Sequence, residues 1–223
     1  MNQQLVFDLG QRSAYGVENF LVAPCNNDAV AWLDRWPDWP APALAVYGPG
    51  ACGKTHLADI WKNRSNARMI RAGQLRESSP DQLVSETRNV IVDDAGPGID
   101  ERSLLHLYNI VGESGGALLL TSRIAPARWS IGLADLRSRL AAAPAVAIGR
   151  PDDALIGAVL IKLFADRQIQ LDGEVLAYVL ARMERSFAAA QSLVDALDQS
   201  ALAAHRRITK PLAREVLAAL EES

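Results

Sequence analysis

The stretch that decides the fold is ALAVYGPGACGKTHLADIWKN, residues 43–63. Its first five residues form an apolar run bounded by proline and glycine, which predicts a short buried strand. The next eight, GPGACGKT at 48–55, fit the pattern GxxxxGK[ST]. In that pattern the backbone amides of a glycine-rich turn and the N-terminal end of the next helix face a phosphate. Because an apolar strand precedes the turn and a helical pattern follows it, we predict a nucleotide-phosphate loop.

Apolar runs alternate with helical patterns through the first 150 residues, which is typical of a parallel sheet covered by helices. The predicted strands are 43–47, 89–94, 117–121 and 145–148. The predicted helices are 26–39, 54–63, 103–114 and 133–140. Beyond Pro151 the spacing is helical throughout, at 152–167, 172–184, 186–204 and 211–221. We therefore predict an α/β base at 21–150, a small all-helical domain at 151–223 and an extended segment at 1–20.

Polar side chains end two of the predicted strands. Asp93 and Asp94 follow VIV, and a carboxylate at a strand end near a phosphate loop can hold Mg²⁺ through water. The second carboxylate can orient or deprotonate a water, although the turn-rich DAGPG that it begins also suits a capping role. Thr121 and Ser122 end the strand ALLLT and could contact a phosphate, or serve only as strand-end caps.

Composition, length and charge limit the kinds of protein that this sequence can encode. The 223 residues are 49% hydrophobic and 22% charged, which is ordinary for a globular protein. At about 150 residues per domain, the length suggests one large domain or one with an appendage. The sequence has no run of 18 apolar residues and no secretory signal at MNQQLVFDLGQR, so neither a membrane span nor export is expected. Two cysteines make no disulfide framework, which favours a reduced, cytoplasmic compartment. A net charge of −3 argues against autonomous DNA binding.

Three further features leave alternatives open. Arg137 and Arg139 in LADLRSRL are either solvated or meant for a charged partner. The apolar hexapeptide QLVFDL at 4–9 is a fraying terminus, a strand that pairs with the body of the protein, or an extended peptide offered to a hydrophobic pocket. Cys52 is expected to fill the loop, and Trp32, Trp36 and Trp39 are expected to pack in the core rather than stack on bases.

Taken together, GPGACGKTHLA, IVDDA, LLLTS, DLRSRL and a helical lid resemble the DnaA branch of the AAA+ ATPases. Within that branch the chain is most similar to the Hda family of DnaA-related regulators, in particular its alphaproteobacterial members. The segments WLDRWPDWPAPAL and ERSFAAAQSLVDALD carry that likeness, and QLVFDL looks like the family's QLxLxL clamp-binding motif. No helix-turn-helix domain is expected after the lid, unlike in DnaA.

The resemblance implies ADP or ATP with Mg²⁺ as cofactors, and the ATP form of DnaA and the β sliding clamp as partners. A homo-oligomer and a location at the replisome are also compatible with it. It implies that Arg139 acts as an arginine finger on the ATP of DnaA and that intrinsic hydrolysis is weak, since Asp94 is shorter than Glu. The remaining implied roles are nucleotide binding by Gly48, Pro49, Gly50, Ala51, Cys52, Gly53, Lys54, Thr55 and His56, Mg²⁺ binding by Thr55 and Asp93, sensing by Thr121 and Ser122, and clamp binding by Gln4, Leu5, Phe7 and Leu9.

The sequence departs from the DnaA pattern in the lid. Ala188 stands where DnaA carries its nucleotide-sensing arginine, and Arg185 lies three residues earlier. The resemblance thus predicts a regulator that promotes hydrolysis by DnaA and so prevents re-initiation of replication. The alternatives are a nucleotide-switched adaptor that recruits replication proteins and, from the phosphate loop alone, a stand-alone ATPase or small-molecule kinase.

Overall fold

The computed structural model describes residues 21–85, 87–203 and 207–221. Two compact units meet in sequence between Gly149 and Arg150. The described residues up to Gly149 are called the base below, and those from Arg150 the lid. None of the helices in these described residues is long and apolar enough to cross a membrane.

The base is built on a parallel sheet. Its strands are β1 (Ala43–Tyr47), β2 (Arg68–Arg71), β3 (Val90–Ala95), β4 (Leu118–Ser122) and β5 (Ala145–Ala147). They lie in the order β2-β3-β4-β1-β5, and every pairing is parallel. The helices of the base are α1 (Asn27–Asp34), α2 (Lys54–Ser65), α3 (Pro80–Val84), α4 (Glu101–Glu113) and α5 (Ala134–Ala142).

Both faces of the sheet are buried, as expected for a parallel sheet. Along β1, Ala43 and Ala45 join the apolar cluster on one face, while Leu44 and Val46 join the cluster on the other. Register places the C-terminal ends of β1, β3 and β4 at one edge of the sheet. The loops that follow these three strands therefore start side by side, and they carry the polar motifs of the sequence.

The first helix is shorter than its pattern predicts. It ends at Asp34 rather than at residue 39. The WPDWP segment that follows contains Pro37, which lacks the N–H that a continuing helix needs. Trp39 instead stacks on Trp61 of α2 at 5.4 Å, and Trp36 meets the same ring edge-on at 5.9 Å. These rings pack against the α2 side of the core, as the sequence suggests.

The lid consists of α6 (Asp153–Asp166), α7 (Gly173–Leu180), α8 (Phe187–Ala203) and α9 (Lys210–Glu221). Asp152 and Asp172 cap α6 and α7 by accepting backbone N–H bonds from Leu155 and Glu174. Phe164 and Leu193 are buried members of an apolar cluster drawn from all of these helices. The predicted fold class, a parallel-sheet α/β base followed by an all-helical lid, is confirmed.

Candidate nucleotide site

The phosphate loop joins β1 to α2 at the edge where the strands end. Gly48 packs so closely against Ile148, the residue after β5, that a Cβ there would lie 2.2 Å from the carbonyl oxygen of Ile148. Gly53, at the N-cap of α2, has a φ of 96°, a left-handed conformation that favours glycine. Gly50 and Ala51 are exposed at the tip of the turn. The glycines at 48 and 53 thus serve close packing and backbone direction respectively.

Lys54 begins α2 and turns back over the loop. Its side chain is buried, and its Nζ donates to the carbonyl oxygens of Gly48 at 2.9 Å and Pro49 at 2.7 Å. Cys52 is also buried, with its Sγ 3.7 Å from the same Nζ. The ammonium group is therefore held inside the curl of the loop, where a phosphate oxygen could replace a carbonyl partner.

Thr55, Asp93 and Thr121 meet across three elements. The hydroxyl of Thr55 donates to the Asp93 carboxylate, with oxygen–oxygen distances of 3.2 and 3.3 Å. Thr121 Oγ1, at the end of β4, donates to Asp93 Oδ1 at 2.6 Å. Thr55 is exposed and Asp93 half-buried, so this carboxylate has an open side.

Asp94 differs sharply from its neighbour Asp93. Its backbone has a φ of 57°, in the left-handed region, and its N–H donates to Thr121 Oγ1 at 2.9 Å. The side chain is exposed, and one carboxylate oxygen lies 3.7 Å from Nε of Arg123. The single hydroxyl of Thr121 thus fixes the side chain of Asp93 and the backbone of Asp94 together.

Ser122 does not join this group through its side chain. Its hydroxyl is fully buried and donates to the carbonyl oxygen of Ile124 at 2.6 Å. Its own carbonyl accepts the N–H of Gly48 at 3.1 Å, which ties the start of the loop to β4. Of the two predicted sensor residues, only Thr121 presents its side chain to the acidic pair.

The donor set fits a nucleotide with a divalent cation. Backbone amides at a helix N-terminus and a lysine ammonium suit phosphate oxygens. A threonine hydroxyl and one carboxylate suit Mg²⁺, which keeps several waters and takes substrate phosphates as its other ligands. In the part of the chain that the structure describes, no group of three or more His, Cys, Asp or Glu could hold a metal on its own.

Arg139 lies on α5, apart from the loop. Its Nε is 3.0 Å from Asp135 Oδ1, and its Nη2 is 3.4 Å from Asp135 Oδ2, one helical turn earlier. Its guanidinium also lies over the ring of Tyr108 on α4, 5.5 Å from the ring centroid. Tyr108 is buried, and that burial raises the pKa of its phenol. The Arg139 side chain is 38% exposed, and Arg137 on the same helix is exposed to solvent.

The start of α5 is attached to the start of α4. Glu101 accepts the backbone N–H of Gly132 at 2.9 Å and of Leu133 at 2.7 Å. These two bonds hold the pKa of the Glu101 carboxyl below its ordinary value. Helix α4 begins after the loop that follows Asp94, and its first turn binds the start of α5. It therefore links the end of β3 to the helix that carries Arg139.

The remaining predicted site residues lie elsewhere. Ala188 is exposed on α8, and Arg185 is paired with Asp153 within the lid, Nε to Oδ1 at 2.7 Å. That pairing lowers the pKa of Asp153 and raises that of Arg185. His56 is exposed on the first turn of α2. The clamp-binding motif lies outside the described residues: Gln4, Leu5, Phe7 and Leu9.

Sequence reasoning missed several neighbours of the predicted residues. The i, i+4 spacing of Asp135 and Arg139 is visible in LADLRSRL and could have suggested the ion pair. Tyr108, Glu101 and Arg123 carry no such signal, because their partners are distant in sequence or lie in a turn.

Solved structures of two DnaA proteins share this fold. Domain III of the Thermotoga maritima replication initiation protein DnaA superposes with a TM-score of 0.74 at 20% identity, covering 90% of this chain and 94% of that one. The AMPPCP-bound DnaA from Aquifex aeolicus gives a TM-score of 0.68 at 18% identity, covering 82% and 64%. With its phosphate loop and helical lid, the chain has the fold of the AAA+ ATPases.

Comparisons of the sequence give more specific similarities than the fold does. The chromosomal replication initiator DnaA of Thermomicrobium roseum is 27% identical over 93% of this chain, which spans 50% of that protein's length. Residues 153–217 match the family model described as Hda, lid domain. The chain is thus similar to DnaA over most of its length, and its lid matches the Hda family model, in line with the resemblance stated from its motifs.

Proposed function

We propose that this chain is a regulatory AAA+ protein that, bound to the β sliding clamp, promotes ATP hydrolysis by DnaA and so prevents re-initiation of chromosome replication. The observation that carries the proposal is the setting of Arg139. It is a half-exposed arginine fixed on α5 by a carboxylate and an aromatic ring. The Hda-type lid supports the choice of DnaA as the partner.

Arg139 would act on a nucleotide held by the partner rather than by its own chain. A guanidinium supplied in trans stabilises the charge that develops on the transferring phosphoryl group, and in GTPases this raises the rate by about 10³–10⁵-fold. A held side chain loses little further freedom when it meets its target, so the resting contacts of Arg139 suit this role.

The chain's own nucleotide site would serve mainly to hold ATP or ADP. Lys54 and the loop amides would bind the phosphates, and Thr55 with Asp93 would hold Mg²⁺. Bound Mg²⁺ would supply charge neutralisation at the phosphates. The AMPPCP-bound Aquifex aeolicus DnaA supports nucleotide binding by this fold. Asp94 could accept a proton from water, but its short side chain lies near Arg123, which favours slow intrinsic turnover.

Clamp binding is proposed from sequence alone. Leu5, Phe7 and Leu9 alternate along QLVFDL, so an extended peptide would place them on one side, toward an apolar pocket. Gln4 would add polar contacts. This interaction would bring the protein to replicating DNA through the clamp.

A second candidate is an adaptor that uses nucleotide as a switch and recruits replication proteins without stimulating hydrolysis. The observation that favours it is the ion pair of Arg139 with Asp135, since a carboxylate at that distance offsets part of the arginine's charge. The two candidates differ in whether Arg139 is needed for any change in DnaA turnover.

The decisive experiment measures conversion of DnaA-bound ATP to ADP with purified DnaA, DNA-loaded clamp and increasing concentrations of the chain. We expect acceleration by the wild type and its loss with Arg139→Ala. Arg137→Ala is the matched control, because it removes an exposed arginine from the same helix. Full stimulation by Arg139→Ala would refute the arginine-finger role and favour the adaptor.

Clamp binding has its own test. The double variant Leu5→Ala, Phe7→Ala should lose binding to the isolated clamp, while keeping nucleotide binding. Equal binding by the variant and the wild type would remove the clamp from the proposal.

A further inference from the structure

The contacts around Arg139 fix it from two sides. Asp135, one turn earlier on α5, accepts a hydrogen bond from Nη2 at 3.4 Å and places its other oxygen 3.0 Å from Nε, which is buried and makes no hydrogen bond of its own within the described residues. The ring of Tyr108 faces the plane of the guanidinium at 5.5 Å from its centroid. A carboxylate and an aromatic face are complementary partners, because one takes the edge of the group and the other its π surface.

The edge that these contacts do not use is the Nη1 side. Among the contacts of the described residues, those of Arg139 with Asp135 involve only Nε and Nη2. Arginine presents five donors in a planar fork, so one paired side still leaves donors for an anion. The side chain is 38% exposed, which gives such an anion access.

Asp135 and Tyr108 form the seat of Arg139. This seat is held in place because α4 contacts α5, or the residues just before it, at two points. Glu101, in the first turn of α4, binds the N–H groups of Gly132 and Leu133 just before α5 begins. Tyr108, two turns further along α4, lies under the guanidinium and is itself 4% exposed. The backbone that carries Asp135 and Arg139 therefore cannot shift freely relative to Tyr108.

We infer that Asp135 and Tyr108 are positioning residues for Arg139, which hold its guanidinium with the Nη1 edge outward so that it meets the γ-phosphate held by the partner in one orientation. This inference rests on the proposed function, and it deepens it by assigning two further residues to the same step. Neither residue touches the partner's nucleotide; both act through Arg139.

Positioning predicts a specific kinetic signature. A guanidinium that is already oriented loses little freedom at the transition state, so removing its seat lowers the rate of the bound complex rather than its formation. The maximal stimulated hydrolysis rate should therefore fall, while the chain concentration that gives half-maximal stimulation stays the same.

The test repeats the DnaA hydrolysis assay with variants of Asp135 and Tyr108. Asp135→Asn keeps the shape of the side chain but removes its charge, and Tyr108→Leu removes the ring. Both should lower the maximal rate by about tenfold to a hundredfold, the scale on which a misplaced group loses rate. Tyr108→Phe should restore the wild-type rate, because it retains the ring.

The matched control is Asp166→Asn. It breaks an exposed i, i+4 ion pair with Lys162 on α6, at 3.3 Å, so it removes the same kind of interaction outside the seat. It should leave both kinetic parameters unchanged. Thermal unfolding of every variant identifies any loss of fold, and the Asp135→Asn variant still tests the positioning role even where Tyr108→Leu unfolds.

The outcomes separate the two proposals. If Arg139→Ala abolishes stimulation while Asp135→Asn and Tyr108→Leu retain the full maximal rate, the seat is refuted and the arginine finger stands. If Arg139→Ala itself retains full stimulation, the proposed function fails first. In the double variant Arg139→Ala, Asp135→Asn, the rate should match that of Arg139→Ala alone, and a further fall would also overturn the positioning role.

Discussion

Two cations of the base, Lys54 and Arg139, are held in opposite ways. Lys54 is buried, and its ammonium donates to backbone carbonyls of the loop that precedes it in sequence. Arg139 is half-exposed, and it is held by a carboxylate on its own helix and a ring on another. The first is enclosed by local backbone, whereas the second is presented at the surface by side chains.

This difference matches two directions of action. A buried ammonium inside a glycine-rich curl can meet only a ligand that enters the curl, so Lys54 is suited to the chain's own nucleotide. A half-exposed guanidinium with one occupied side can meet a group on another molecule. In the proposed function, the surroundings of each cation therefore decide whether its charge acts on the chain's own nucleotide or on that of a partner.

The largest expected effect comes from removing each of the two cations in turn. Lys54→Ala should weaken binding of ADP or ATP by about 100-fold, or about 3 kcal/mol, the upper range for hydrogen bonds to a charged group. Arg139→Ala should leave nucleotide affinity unchanged. Calorimetric titration of the isolated chain with each nucleotide measures both effects.

The same pair sharpens the contrast when stimulation of DnaA is measured beside nucleotide binding. Arg139→Ala should lose stimulation while still binding nucleotide. An Arg139→Ala protein with weakened nucleotide binding would contradict the separation, since the two cations would then serve one site.

A second prediction concerns the loop that encloses Lys54. Gly48→Ala should destabilise the base by about 2–3 kcal/mol, because its Cβ would lie 2.2 Å from a backbone oxygen that cannot rotate away. Gly50→Ala is the matched control, since a Cβ there has no atom within 4 Å. Chemical denaturation of the two variants should separate them clearly, and equal stabilities would show that the loop does not depend on close packing at Gly48.

The smallest expected effect is on stability. It concerns Glu101, which binds the backbone just before the helix that carries Arg139, and it depends on pH. The folded-state pKa of Glu101 is lowered by the N–H groups of Gly132 and Leu133, so its contribution to stability is present above the unfolded-state pKa. That contribution is lost as the pH falls through the lowered folded-state pKa. Glu101→Gln should therefore be slightly less stable than the wild type at pH 7, and this gap should close as the pH falls from about 5 to 3. Melting temperatures measured across that range test it; a gap that stays constant with pH would rule out the charged interaction.

The parts of the fold that rest on burial could be predicted from the sequence. Strands β1, β3 and β4 lie between other strands and read as apolar runs, because both of their faces are covered. Strand β2 was missed. It is the edge strand RMIR, with only Ile70 buried, so its sequence has no apolar run to recognise. Helix α3 is too short to show a period.

For the candidate site, the motif predicted residue types but not contacts. GPGACGKT indicates a phosphate loop because a glycine-rich turn between a strand and a helix has few other uses. The bridge that Thr121 makes between Asp93 and Asp94 depends on register between β3 and β4, which no local pattern encodes. The link from Glu101 to Gly132 spans 31 positions and follows from packing of α4 against α5.

The tryptophans, three of which pack together at α2, also give the protein an intrinsic fluorescence signal. All five tryptophans of the sequence fall between residues 32 and 129, hence in the base, and the lid has none. Tryptophan emission therefore reports on the base alone, while far-ultraviolet circular dichroism reports on both units. A melting experiment that records both signals can follow the two units separately in the unmodified protein, with no dye and no substitution.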